Sequence, residues 1–399
     1  MKLGGSWRSL LMLLVALTIV VSAVACKSET PAPAPAPTAA PAPAKPAPTA
    51  APAPARSAPK AAPAGPAIVP VAQPMTLKMG SPFPPPPATM SMGIDYFQKQ
   101  ITERTGGKIT FENFWGASLV SPLEVLDAVG KGVVDMTPGV WLYAPGKVPL
   151  GTFEYAFAFR PSDHDMLVKA KRSMYDAMPA MHQELTEQNT KLLWLQGLLS
   201  YDIESNVAIP TLNDMKGKKL AVIGTEFPKW VEAAGAAPVT MPAGDRYVAL
   251  QRGTIDGQII DMSVFGDLKN YEVSKHYTYT NLGSAVPLGG WMNLDLFNSF
   301  SPELQALFDE VSMETEQYHI DLLTSRKQGY IDTLTKAGVT FYTMPQADLD
   351  RWAQLMPDMP AVFAEKVTKL GWPGWEVVDT FMKMTTDAGH KWPRQWGER

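Results

Sequence analysis

One cysteine, Cys26, in 399 residues rules out an intrachain disulfide. An ordinary hydrophobic core must therefore hold the fold, and the length permits one. The five histidines, His164, His182, His276, His319 and His390, show no metal-ligand spacing such as H-x-x-x-H, and no metal site or cofactor is implied. Gly-x-Ser-x-Gly elbows, P-loops and Gly-x-Gly-x-x-Gly turns after a strand are all missing. These absences do not exclude an enzyme, but nothing points to one. Charge is also scarce: the net is −4 with pI near 5.8, so there is no general electrostatic reason to bind nucleic acid or anionic lipid. After the first two dozen residues, no run approaches the roughly 20 apolar residues a spanning helix needs.

What is present begins at the N-terminus. Lys2 and Arg8 precede the apolar run from Leu10 to Val21, and Ala23-Val24-Ala25 precede Cys26. This is the three-part layout of an export signal. It resembles the lipobox of bacterial lipoproteins, which implies that residues 1–25 are removed and Cys26 is lipidated. The alternative is an uncleaved membrane anchor, for which the run is short. Residues 26–73 are mostly Pro and Ala, with too little large apolar surface to offset ordering entropy. As extended polyproline II, at about 3.1 Å per residue, they form a tether reaching roughly 100 Å. A working spacer and a passive leftover fit the composition equally.

The folded part is expected over residues 74–399. A strand at Thr76-Leu77-Lys78-Met79, a helix over residues 88–105 ending at Gly106-Gly107, and a strand over residues 108–113 follow in order. Ser121-Pro122 opens a helix that stops at Gly130, and Val133-Val134-Asp135-Met136 reads as a third strand. This β-α-β-α-β order predicts an α/β fold with a parallel sheet. An internal echo links Gly132-Val133-Val134-Asp135 to Gly253-Thr254-Ile255-Asp256, each after its own strand and helix, and favours two lobes of one construction. Residues 301–336 open with Ser301-Pro302-Glu303 and keep helical spacing. At 1.5 Å per residue the helix is about 50 Å long, enough to cross both lobes.

Several stretches occur together in a set order: Gly106-Gly107-Lys108-Ile109, Ser118-Leu119, Gly132-Val133-Val134-Asp135-Met136, Asp214-Met215-Lys216-Gly217-Lys218-Lys219, Gly235-Ala236-Ala237-Pro238, and the run from Tyr247 through Asp256-Gly257-Gln258. In this the chain resembles the extracytoplasmic solute-binding proteins of TRAP transporters, the DctP-like family. The resemblance implies a two-lobed periplasmic-binding-protein-like clamp with a long helix along both lobes. Lobe I would take residues 74–198 plus 284–305, and lobe II residues 199–283 plus the C-terminal helices. It also implies capture of a small organic ligand and delivery to a permease of one small and one large integral membrane subunit. Family members that bind organic acids usually carry Arg where this chain has Ala221. A second family Arg falls near Tyr201, a polar residue near Ile260, and an Asn near Gly224. Burying a carboxylate without its partner costs several kcal/mol, so the expected anchor is missing.

In open α/β sheets, ligands sit beyond the C-terminal strand ends. That rule picks Phe83, Trp115, Trp141 with Tyr143, Tyr201, Thr225-Glu226-Phe227 near Trp230, Asp261, and Trp291 at a lobe crossing. Such aromatics suit a flat apolar or cationic ligand, with Glu226 and Asp261 as counter-charges for a cation or a metal. Each also reads as ordinary core or solvated loop. Arg160, near an expected lobe connection, is either a substitute carboxylate anchor or a structural ion-pair partner. A ligand sensor that signals rather than transports, and a surface-anchored enzyme, remain the alternatives to a transport receptor.

Overall fold

The computed structural model describes residues 68–399. The export segment, Cys26 and nearly all of the Pro/Ala tether lie outside them. Among the described residues, no helix is long and apolar enough to cross a membrane.

The eleven strands are β1 (Met75–Gly80), β2 (Ile109–Phe114), β3 (Met136–Val140), β4 (Thr190–Leu198), β5 (Tyr201–Ser205), β6 (Lys219–Val222), β7 (Ala237–Thr240), β8 (Gly257–Asp261), β9 (His276–Tyr279), β10 (Ala285–Asn293) and β11 (Thr340–Thr343). They form one sheet of order β2-β1-β3-β10-β4 and another of order β11-β9-β5-β8-β6-β7. The chain passes between the sheets three times, from β4 to β5, from β9 to β10, and from β10 to β11 through the helix Pro302–Lys336. Helices pack on both sheets, giving a two-lobed α/β architecture.

The expected all-parallel sheet is corrected to two mixed ones. β1 pairs parallel with β2 and β3, but β10 runs antiparallel between β3 and β4. β5 is likewise antiparallel to its neighbours β8 and β9. In both lobes the antiparallel strands are those that carry the chain across. The third strand also starts later than its β-branched pair suggested, at Met136. Val133 is exposed and Val134 is buried in the turn before it. The helix expected from Ser121 is confined to Val125–Gly130, because the Ser121 hydroxyl donates to the Glu124 carboxylate (2.7 Å) in a preceding turn.

Elsewhere local chemistry and structure agree. The helix Thr89–Arg104 buries Met90, Ile94, Phe97 and Ile101 at helical spacing. It ends where Gly106 and Gly107 take positive φ, 61° and 77°, which glycine alone reaches without cost. The long helix Pro302–Lys336 has 35 residues, about 52 Å of axis. Ser301 Oγ accepts from Leu304 N (3.3 Å) to cap it. Its first half lies on lobe I, where Tyr318 stacks on Tyr96 with centroids 4.3 Å apart and Glu314 pairs with Arg104 (2.5 Å). Further along, Tyr330 reaches lobe II and donates to Asp267 Oδ1 (2.8 Å).

The same Asp267 bonds back to lobe I. Its Oδ2 accepts from the backbone N of Thr89 (2.6 Å), at the start of the helix Thr89–Arg104. Arg326 of the long helix donates to Pro87 O (2.9 Å) and Thr89 Oγ1 (2.8 Å). These bonds tie the two lobes along one side of the space between them.

Candidate functional site

Between the lobes lies a cleft of about 600 Å³, within the range of small-ligand sites. Its walls follow from the strand-end rule. Phe83 and the Gly116-Ala117 turn come from beyond β1 and β2, and Val140, Leu142 and Tyr143 from the end of β3. The second lobe adds Ile223 after β6, residues 242–246 after β7, and Ile260 and Asp261 at the end of β8. Most of this surface is apolar. The charged groups on it are Asp245, Arg246 and Asp261, and Asp245 is exposed.

Of the residues named from sequence, the wall includes Phe83, Tyr143, Tyr201 and Asp261. Trp141 and Trp291 are fully buried and meet edge to face with centroids 5.4 Å apart. Glycines make room for them. A Cβ on Gly139 would stand 1.9 Å from the Trp291 ring, and one on Gly289 would stand 2.5 Å from Trp141. These indoles lie on the sheet as core rather than projecting past its end. Trp115 packs beside the separate core of Leu77, Phe97 and Phe308. Phe227 is buried between Tyr201 (5.0 Å) and Trp230 (4.4 Å). Thr225 and Glu226 satisfy each other, Oγ1 donating to Oε1 at 2.6 Å, outside the cleft.

Arg160 sits where the chain crosses from β9 to β10, as its sequence position suggested, but is not on the wall of this cleft. It donates to the carbonyl oxygens of Ser284 and Phe157 and lies over the rings of Tyr155 (5.2 Å) and Trp230 (5.7 Å). A Cβ on Gly283 would stand 2.4 Å from its Cγ. It clasps the crossing strand and does not line this cleft.

Arg246 was missed by sequence reading. Applying the strand-end rule to β7 as well would have reached Pro242-Ala243-Gly244-Asp245-Arg246. It is buried, 2 % exposed. Its guanidinium donates to Met241 O through Nε (3.3 Å) and Nη2 (3.1 Å), and through Nη1 to Ile259 O (3.1 Å) and Gln258 Oε1 (3.2 Å). The three acceptors of these four bonds are neutral, and one of the five N–H groups remains, on Nη2. Burial pulls its pKa down to about 10, so the charge persists at neutral pH. Gln258 is the cross-strand partner of Ala221. A cation from a helix therefore reaches the residue paired across the sheet with Ala221.

Behind it, Gln258 Nε2 donates to the Glu204 carboxylate, which burial raises to about 7. Asp261 is fully buried and also raised to about 7, chiefly by burial. Both folded values lie above the ordinary ones. The folded chain therefore holds protons that the unfolded chain releases, and stability present at low pH is lost as pH rises through about 7. Thermal melts between about pH 5 and pH 8 should show Tm falling, and Glu204→Gln should flatten that fall. An unchanged slope in the variant would contradict this.

Among the described residues, no three His, Cys, Asp or Glu side chains come together as a metal site. Residues 82–366 match the model of the bacterial extracellular solute-binding protein family 7, DctP. The chain belongs to this family. Relatives within reach of the sequence include the 2,3-diketo-L-gulonate-binding periplasmic protein YiaO of Escherichia coli, 27 % identical over 64 % of this chain and 76 % of that one. Another is the C4-dicarboxylate-binding periplasmic protein DctP of Rhodobacter capsulatus, 22 % identical over 74 % of this chain and 89 % of that one. A TRAP solute-binding protein of Rhodoferax ferrireducens, in complex with copurified benzoate, shares the fold with TM-score 0.70 at 21 % identity. It covers 78 % of this chain and 98 % of its own. A marine metagenome TRAP protein with co-crystallised 3-hydroxybenzoate gives TM-score 0.70 at 21 % identity, covering 80 % and 100 %. DctP-family proteins are solute receptors, and this chain has their two-lobed fold and an inter-lobe cleft.

Proposed function

We propose that this DctP-family receptor captures a small carboxylate with a compact apolar body and hands it to the small and large membrane subunits of a TRAP permease. The observation that carries the reading is Arg246: a buried guanidinium with only neutral partners and an N–H to spare, on the wall of an otherwise apolar cleft. Guanidinium and carboxylate match in geometry, and Arg is the residue best suited to such recognition. The apolar wall suits a ring or short hydrocarbon better than a second acid group, for which it has no second cation. That similar folds hold benzoate and 3-hydroxybenzoate fits this reading. Export with lipidation of Cys26, placing the receptor in the periplasm or at the cell surface on its tether, belongs to the same proposal.

Benzoate and benzamide have the same shape and differ in charge, so they isolate the Arg246 contribution. Ligand at about 100 times its Kd adds roughly 2.7 kcal/mol to stability. Titration of the purified protein should therefore raise Tm by a few degrees with benzoate and leave it unmoved with benzamide. Equal shifts with both, or a response only to cations, would overturn the carboxylate reading.

A further inference from the structure

Resting on that reading, we infer that the cleft is built for carboxylates that also carry an N–H or O–H donor, which Asp261 Oδ2 accepts. The Asp261 carboxylate is divided in its work. Oδ1 takes Ser263 N (2.9 Å), the Ser263 hydroxyl and Val264 N (3.4 Å), capping the helix Met262–Asp267. Three donors on one oxygen fix the orientation of the group. Oδ2 is buried and has no partner among the described residues. Capping requires only one oxygen, so it does not explain the other, and an unmade hydrogen bond at a buried acceptor is costly. Asp261 lines the same cleft as Arg246, where a ligand can supply the missing donor.

The spacing restricts the class. Arg246 is held on Ile259 O (3.1 Å), and Asp261 stands two residues further along β8, about 6.6 Å of strand. Both anchors are thus tied to the end of one strand, which favours acid and donor on the same small molecule. Apolar neighbours such as Ile260, Val264 and Leu288 offer the rest of that molecule no polar contact. A cyclic hydroxy acid or a lactam acid meets both requirements, and a plain aromatic acid meets one.

Calorimetric titration of the purified protein with two matched pairs tests this: 3-hydroxybenzoate against benzoate, and pyroglutamate against cyclopentanecarboxylate. At pH 8, where Asp261 is ionised, in at least one pair the donor-bearing acid should bind about 10- to 100-fold more tightly, the range for a hydrogen bond to a charged group. Asp261→Asn keeps a capping oxygen but replaces the acceptor with a donor. It should erase the preference within each pair while leaving circular dichroism unchanged. Equal affinities within both pairs, or a preference that survives in Asp261→Asn, would overturn the inference and leave the carboxylate site standing. If none of the four acids binds, the inference falls together with the carboxylate reading.

Discussion

Replacing Arg246 with alanine is expected to weaken carboxylate binding by about 2–5 kcal/mol, roughly thirtyfold to several thousandfold. The range follows from truncating one partner of a buried, hydrogen-bonded charge pair, and the apolar wall keeps the effect from being screened. Arg246 also braces Met241 and Ile259, so the alanine variant is expected to lose some stability, which melts without ligand will measure. Arg246→Lys separates the two effects. It keeps the charge without the planar fork, so it should recover part of the affinity and little of the bracing. Calorimetry showing benzoate affinity within threefold of wild type in the folded alanine variant would refute the assignment.

Loss of Lys171 should have the largest effect on the fold. Its Nζ lies 2.9 Å from Glu154 Oε2, Gly151 O and Val286 O, with both side chains fully buried, and 4.1 Å from the centre of the Trp141 ring. The ammonium donates to the two carbonyls and forms an ion pair with the carboxylate. Glu154 Oε1 accepts from Val286 N (2.9 Å), so the pair pins β10 just before Pro287 and Leu288, which form part of the cleft wall. Lys171→Met leaves a carboxylate buried without its cation and two carbonyls without donors. A loss of about 3–5 kcal/mol is expected, a fall of several degrees in Tm for a domain of this size. The double variant Lys171→Met/Glu154→Gln should regain part of that loss, because no unpaired charge remains. A double variant less stable than the single one would show that packing rather than charge is at stake.

The repeated Gly-x-β-β-Asp turn is the clearest case of structure legible in the sequence. Asp135 Oδ2 accepts from Lys78 N (2.7 Å) and Asp256 Oδ2 from Lys219 N (2.8 Å), each fastening the turn to a neighbouring parallel strand, β1 within its length and β6 at its first residue. The two lobes thus use one device at matching places. The long helix was equally plain, because its cap, first-turn proline and periodicity are all local signals. The cleft wall was harder to read. Position after a strand predicted Tyr143 and Asp261 as wall residues and failed for Trp141. Whether an aromatic projects or lies flat depends on what faces it across the sheet, here the glycines of β3 and β10. Arg246 escaped because its role is set by Gln258, twelve residues away and on another strand.

The bond from Asp267 to Thr89 N gives the clamp a property that neither lobe has alone. Ala88 offers no side chain to cap the helix Thr89–Arg104, so the helix of one lobe is finished by a residue of the other. A missing cap costs a helix about 0.5–2 kcal/mol. Any motion that separates Asp267 from Thr89 therefore leaves a frayed first turn beside the cleft, next to Met90 on its wall. The start of a lobe I helix and the contact between the lobes are thus held by one hydrogen bond, so hydrogen exchange at the first turn of that helix reports on the separation of the lobes.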